Sequence, residues 1–187
     1  MKYLVCYDYH TCGRCVVRQE GAVYYDDPQG IIEVQSFQEL YNELMERKPR
    51  DQILVVACYP MREAMLSYIT PDLKAYQRAV GGNIEYVSLT SNVDIICNEE
   101  GKVNHLPLNR ALYRNFTLVD VIAGPMYFVG ADNEGRTISL PCAEMEKIYY
   151  KFLEPEVFVM NHGEMCGIKC SSAIAEILRE NNISIIG

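Results

Sequence analysis

Two clusters of soft side chains stand near opposite ends of the chain, His10-x-Cys12-x2-Cys15 and His162-x3-Cys166-x3-Cys170. Thiolate and imidazole are preferred zinc ligands. Cys12, Cys15, Cys166 and Cys170 together would complete a tetrahedral structural site, either as four thiolates or with an imidazole in place of one of them. The turn Cys12-Gly13-Arg14-Cys15 has the tight glycine of a zinc knuckle, whereas Cys-x3-Cys is a looser spacing, and the site exists only if folding brings the two ends together. Free or redox-active thiols, and cysteines that merely occupy turns, are the alternatives. A thioredoxin-like role fits less well, because the residues after Cys12 alternate like a strand and do not open a helix.

A second group centres on Asn109 and Arg110, a polar pair that follows the stiffening Pro107 and precedes an apolar return. Asn can lock a loop by bonding backbone groups, and Arg presents a planar fork suited to a carboxylate or phosphate. Asp120 and Glu85 are the acids available to Arg110; a closed ion pair with either would make the residue structural, and an open fork would make it a ligand contact. Gly124, before Pro125, breaks a strand-like run, which suits either close approach of a ligand or a bulge at a sheet corner. Tyr127 and Phe128 point to opposite faces of a regular strand, so one of them is free to line a groove. None of the three His lies in a nucleophile motif, and there is no Walker loop, GxGxxG, HExxH or paired-acid signature.

The elements that must position these groups alternate between strand and helix. Residues 2–9 and 16–25 read as strands around a turn at Gly13. Ser36 and Glu39 form a capping box for a helix whose apolar positions are Phe37, Leu40, Tyr41, Leu44 and Met45. Ile53–Cys58 is a continuous apolar run, as in a strand covered on both faces. A short helix from Met61 to Ile69 precedes a stronger one capped by Thr70, started by Pro71 and ended by Gly81-Gly82. Short strand-like runs follow at 84–89, 93–97, 102–106, 119–123, 126–131 and 136–140, with glycine turns at Gly101 and Gly135. Cys142, Met145, Ile148, Tyr149 and Phe152 share a helix face, residues 156–160 read as a strand, Ser172 caps a further helix, and Ile183–Ile186 reads as a terminal strand. The class is therefore α+β, a largely antiparallel central sheet flanked by helices. No linker separates three segments: 1–69, an N-terminal strand-helix-strand segment; 70–142, a β-rich central module; and 143–187, a helical segment packing on the same core.

Composition narrows the function classes. The 187 residues are 49% apolar and 22% charged, which excludes a disordered chain. Seventeen basic against 25 acidic side chains leave a charge of -8, the wrong sign for gripping phosphate backbones, so no direct nucleic-acid partner is expected. The longest apolar stretch, Ile53–Met61, contains Pro60 and falls far short of the ~18 residues of a spanning helix, and no signal peptide is visible, so a cytoplasmic location with no membrane contact is expected. Eight cysteines in that setting read as reduced thiols.

From about Ala75 to Leu140 the chain resembles a family of uncharacterised bacterial and phage proteins, domain of unknown function 3846. The resemblance is carried by Gly81-Gly82-x-Ile84-Glu85-x-Val87, Cys97-Asn98-Glu99-Glu100-Gly101-Lys102, Leu106-Pro107-x-Asn109-Arg110-Ala111-Leu112, Asp120-Val121-Ile122-Ala123-Gly124-Pro125, Val129-Gly130-Ala131 and the Glu134-Gly135 hairpin. Met126-Tyr127-Phe128 departs from it, standing where the family more often runs through small aliphatics. The resemblance implies a fold unit and a setting among accessory proteins of phages and mobile elements, with no activity attached. Two classes of function follow. One is a non-catalytic module that binds a protein partner or a small anionic ligand through the central sheet, with Asn109, Arg110, Asp120, Gly124, Tyr127 and Glu85 as its site. The other is a zinc-binding or thiol-dependent protein that uses the terminal clusters.

Overall fold

The computed structural model describes residues 1–19, 28–171 and 174. The expected α+β class holds: one large antiparallel sheet with helices on both faces. Its strands are β1 (Lys2–Asp8), β2 (Gly13–Arg18), β3 (Gly30–Glu33), β4 (Ile53–Cys58), β5 (Met65–Ile69), β6 (Ile84–Thr90), β7 (Val93–Asn98), β10 (Met126–Ala131) and β11 (Thr137–Ile138), in the order β3-β1-β2-β5-β4-β10-β7-β6 with β11 added to β10. Two hairpins stand beside it, β8 (Leu108–Arg114) with β9 (Thr117–Ala123) and β12 (Glu156–Asn161) with β13 (Glu164–Lys169). Since β10 pairs with β4, the sheet draws strands from both the first and the central segment.

Every residue of β4 is buried because the strand is covered on both sides. Leu54, Val56 and Cys58 face α1 (Phe37–Glu46) and α3 (Cys142–Lys151), which contribute Phe37, Leu40, Leu44, Met145, Ile148 and Tyr149 to that layer. Ile53, Val55 and Ala57 face α2 (Leu73–Val80), whose Ala75, Tyr76, Ala79 and Val80 cover the other side. Ser36 caps α1 by accepting from the Glu39 amide, while the Glu39 carboxylate turns back to the Gln35 amide. The cap of α2 is Asp72, not Thr70: its carboxylate accepts from the Ala75 amide at 2.8 Å, a charged acceptor at the positive end of the helix dipole.

Residues 65–69 form strand β5, where the sequence suggested helix. Leu66 and Tyr68 face one layer and Met65 and Ile69 the other, so an apolar run buried on two sides carries no periodicity that separates the two states. Residues 102–106 form a turn, not a strand. Gly135 has φ 76°, as its hairpin requires, whereas Gly101 is needed for contact, since a Cβ there would stand 2.7 Å from the Ala123 carbonyl oxygen. The helix expected from Ser172 and the strand expected at 183–186 lie outside the described residues. Among the described residues no helix is long and apolar enough to cross a membrane.

Candidate functional site

Asn109 and Arg110 lie inside strand β8, not in a loop, and both are fully buried. The Asn109 amide donates to the carbonyls of Cys58, at 2.8 Å, and Gly124, at 2.7 Å. Its side-chain oxygen accepts from Arg110 Nη1 at 2.8 Å. Arg110 donates further to the main-chain carbonyls of Phe152, Asn109 and Arg62, at 3.2, 3.1 and 2.7 Å. The fork is thus held by main-chain carbonyls. Desolvation pulls the Arg110 pKa down, opposed by nearby groups that include Cys58 and Glu156.

Neither acid considered for Arg110 forms a hydrogen bond or ion pair with it among the described residues. Asp120 forms an ion pair with Lys102 and accepts from the Val121 amide. Glu85 is exposed on β6. The carboxylates in the neighbourhood of Arg110 are Glu156 and Glu63, and Glu156 Oε2 accepts from the Ala111 amide at 2.8 Å. Burial pushes the Glu156 pKa up, more than the Ala111 amide, Arg110 and Lys169 pull it down. Gly167 makes room for this carboxyl, since a Cβ there would stand 2.7 Å from Glu156 Oε2. Gly124 turns the chain at φ 81°, where a Cβ would meet Leu106 Cδ1 at 2.7 Å, so it serves a packed corner.

Tyr127 belongs to a separate polar network on the α2 side of the sheet. Its hydroxyl donates to the Ala79 carbonyl at 3.2 Å and lies 3.1 Å from the Tyr59 hydroxyl. Tyr59 donates to Asp8 Oδ2 at 2.7 Å, Ser67 donates to the same oxygen at 2.9 Å, and the His10 amide donates to Asp8 Oδ1 at 3.0 Å. Thr11 meets Ser67 at 3.0 Å, and the His10 ring stacks on Tyr59 with centroids 4.6 Å apart. A buried carboxylate with three donors locks the β1–β2 turn onto β4 and β5. Burial holds the Tyr59 hydroxyl well above the usual tyrosine range, so it acts as a donor. Asp8 and Ser67 carried a signal in the sequence, as polar residues within or ending apolar strands, but their meeting depends on sheet order.

The four cysteines occupy different surroundings. Cys12 sits exposed in the β1–β2 turn at φ 53°, with its thiol 3.5 Å from the Tyr9 carbonyl. Cys15 is fully buried opposite Cys6, and burial pushes its pKa up. Cys166 and Cys170 are half-buried on and just after β13. Among the described residues no three His, Cys, Asp or Glu side chains come together to hold a metal ion. Burial also pushes the thiols of Cys58 and Cys97 up, to about 11 and about 12, so these remain protonated and unreactive at neutral pH.

The recess that can hold a ligand was not picked out by any sequence motif. It measures about 450 Å³ and opens between the C-terminal end of α1 and the β1–β2 hairpin. Val16, Ile32, Leu44 and Tyr68 give it apolar walls, and Arg14 and Arg47 stand among its lining, which includes no carboxylate among the described residues. Burial raises the Tyr68 pKa to about 12, while Arg47 and Arg14 both act to lower it, which places the two guanidinium groups within electrostatic reach of one hydroxyl. Tyr68 donates to the Leu44 carbonyl at 2.7 Å. Arg47 pairs with Glu43 at 2.7 Å, whereas the exposed Arg14 side chain makes no hydrogen bond or ion pair among the described residues.

Residues 53–153 match the family described as Domain of unknown function (DUF3846). The match extends the resemblance at both ends, taking in β4, β5 and α3, and it contains the whole of the β4–β8–α3 junction around Arg110. No curated protein and no solved structure matches the chain.

Arg110→Ala should destabilise the fold by about 3 kcal/mol or more, because it leaves buried carbonyls unpaired and opens a cavity. Arg110→Lys should recover less than half of that, since an ammonium cannot reproduce the planar fork; urea unfolding of the three chains measures both. Glu156 should also make stability pH-dependent. A carboxyl whose folded pKa is raised contributes stability below its unfolded value and loses it as pH rises through the folded one. Glu156→Gln keeps an acceptor for the Ala111 amide, so the wild type should lose stability relative to this variant as pH rises from about 4 to 8; parallel urea midpoints across that range would contradict the assignment.

Proposed function

The chain belongs to the domain of unknown function (DUF3846) family, and from that premise we propose that it is a non-catalytic binding module for a small molecule with an anionic group on an apolar body. One observation carries this reading: the Arg14 guanidinium, without a hydrogen bond or ion pair among the described residues, stands over an apolar recess next to Arg47. The chain as a whole carries a charge of -8, so two cations on a lining whose described residues include no carboxylate are a local exception that would draw an anion to this spot. The volume is within the range of small-molecule sites, and a mostly apolar wall with few convergent polar groups is their usual make-up. Arg14 supplies the planar fork, Arg47 a second positive charge, and Tyr68, Leu44 and Ile32 the surface for the apolar body.

Of these residues only Tyr68 lies within the family match, so the ligand site belongs mainly to the N-terminal strands and α1 that this chain adds to the shared unit. Arg110 takes the place of a supporting residue in this reading. Small-molecule recognition is then a property of the whole chain, and the family segment provides strand β5, on which the N-terminal strands continue the sheet.

Phenyl phosphate is a suitable probe, with benzamidine as the control of opposite charge. The wild type should bind phenyl phosphate in preference, with NMR shift changes at Arg14 and Tyr68. Arg14→Ala should weaken that binding about tenfold with little change in melting temperature, because an exposed Arg contributes little to folding. Unchanged affinity in Arg14→Ala, or preference for benzamidine, would overturn the reading.

A further inference from the structure

The hairpin of β8 and β9 turns through only two residues, Asn115 and Phe116, at φ 49° and 63°. Both central residues of a type I′ turn must take positive φ, a requirement that Asn tolerates and that usually brings Gly to the second place. Phe116 fills that place, so its bulky side chain stands on strained backbone. It is also fully exposed, with a relative accessibility of 103%, so no packing within the described chain offsets the strain. An aromatic ring held in water on a strained turn is an outlier that points to a binding role.

The same end of the molecule carries a hollow of the matching kind. A groove of about 560 Å³ opens beside the turn, lined by Tyr113, Leu118, Met165 and Cys166 together with Phe116 itself. It lies over the smallest of the three apolar clusters, in which Ala111, Val121 and Phe158 are buried while Leu118 and Met165 are only partly covered. Tyr113 is itself 45% exposed. Projecting ring and unfilled groove thus lie side by side on one patch, the arrangement that a two-fold interface needs, since each copy then gives and receives the same contact.

We propose that this patch is a docking surface for a second copy of this chain, with Phe116 of each protomer seated in the groove between the β9 and β13 strands of its partner. The ring completes the thin apolar cluster behind Leu118 and Met165, and the energy of its burial offsets the strain of the turn. This proposal rests on the hairpin alone and is independent of the anion recess.

Sedimentation velocity of the full chain from roughly 10 μM to 500 μM tests it. The wild type should show a concentration-dependent dimer. Phe116→Gly separates the two roles of the residue, since glycine relieves the positive φ while removing the ring. That variant should dissociate about thirtyfold more readily, the loss expected for an aromatic hot spot, and melt at the same or a higher temperature. Met165→Glu, on the receiving side, should also shift the chain to monomer. A wild type that stays monomeric over the whole range, including one that engages a different protein through this hairpin, would overturn the proposal. So would a Phe116→Gly chain that dimerises as the wild type does.

Discussion

A guanidinium group removed from water keeps its charge only where acceptors surround it, and Arg110 finds them mainly in the main chain. Its hydrogen bonds end on the carbonyls of Phe152, Arg62 and Asn109, and Asn109 extends the network to those of Cys58 and Gly124. Five carbonyls are thereby satisfied at one point, that of Asn109 in β8 itself and four from other parts of the chain. The other four come from the end of β4, the loop into β5, the corner before β10 and the C-cap of α3. The last of these lies at the negative end of a helix dipole, where a cation is favoured. Arginine suits the position because several donors in one plane reach carbonyls that approach from different directions; lysine would leave some of them orphaned.

This junction explains why the β8–β9 hairpin, which shares no ladder with the large sheet, is fixed against it. It also separates inward-turned polar groups from exposed ones. Residues that look reactive in the sequence, Arg110 and Tyr127, have their polar groups turned inward to carbonyls and hydroxyls. Arg14 at the mouth of the recess by α1 and Phe116 at the hairpin tip are instead open to solvent.

Much of the scaffold was legible because its signals are local. The Ser36–Glu39 capping box, the apolar stripe of α1, the unbroken apolar β4 and the Gly81 stop of α2 each follow from a few neighbouring residues. Strand β8 was not legible, for two physical reasons. Asn109 and Arg110 are polar residues at buried positions, so the alternation that marks a strand is inverted there, and Asn115-Phe116 lacks the glycine that announces a two-residue turn. Asp8, Ser67 and Tyr59 are 51 or more residues apart in pairs with Asp8, and only sheet order unites them. Arg14 and Arg47 were invisible as a pair for the same reason: a recess between a helix end and a hairpin is written in tertiary structure, not in spacing.

Native-state hydrogen exchange tests most directly whether Arg110 makes the hairpin part of one cooperative unit. If it does, the amides of Ala111 and Val121 in β8 and β9 should exchange with the same opening free energy as those of Val55 and Ile96 in the centre of the sheet, and should follow them as denaturant is added. Exchange of Ala111 and Val121 through a separate opening of distinctly lower free energy, with Val55 and Ile96 still protected, would contradict the account.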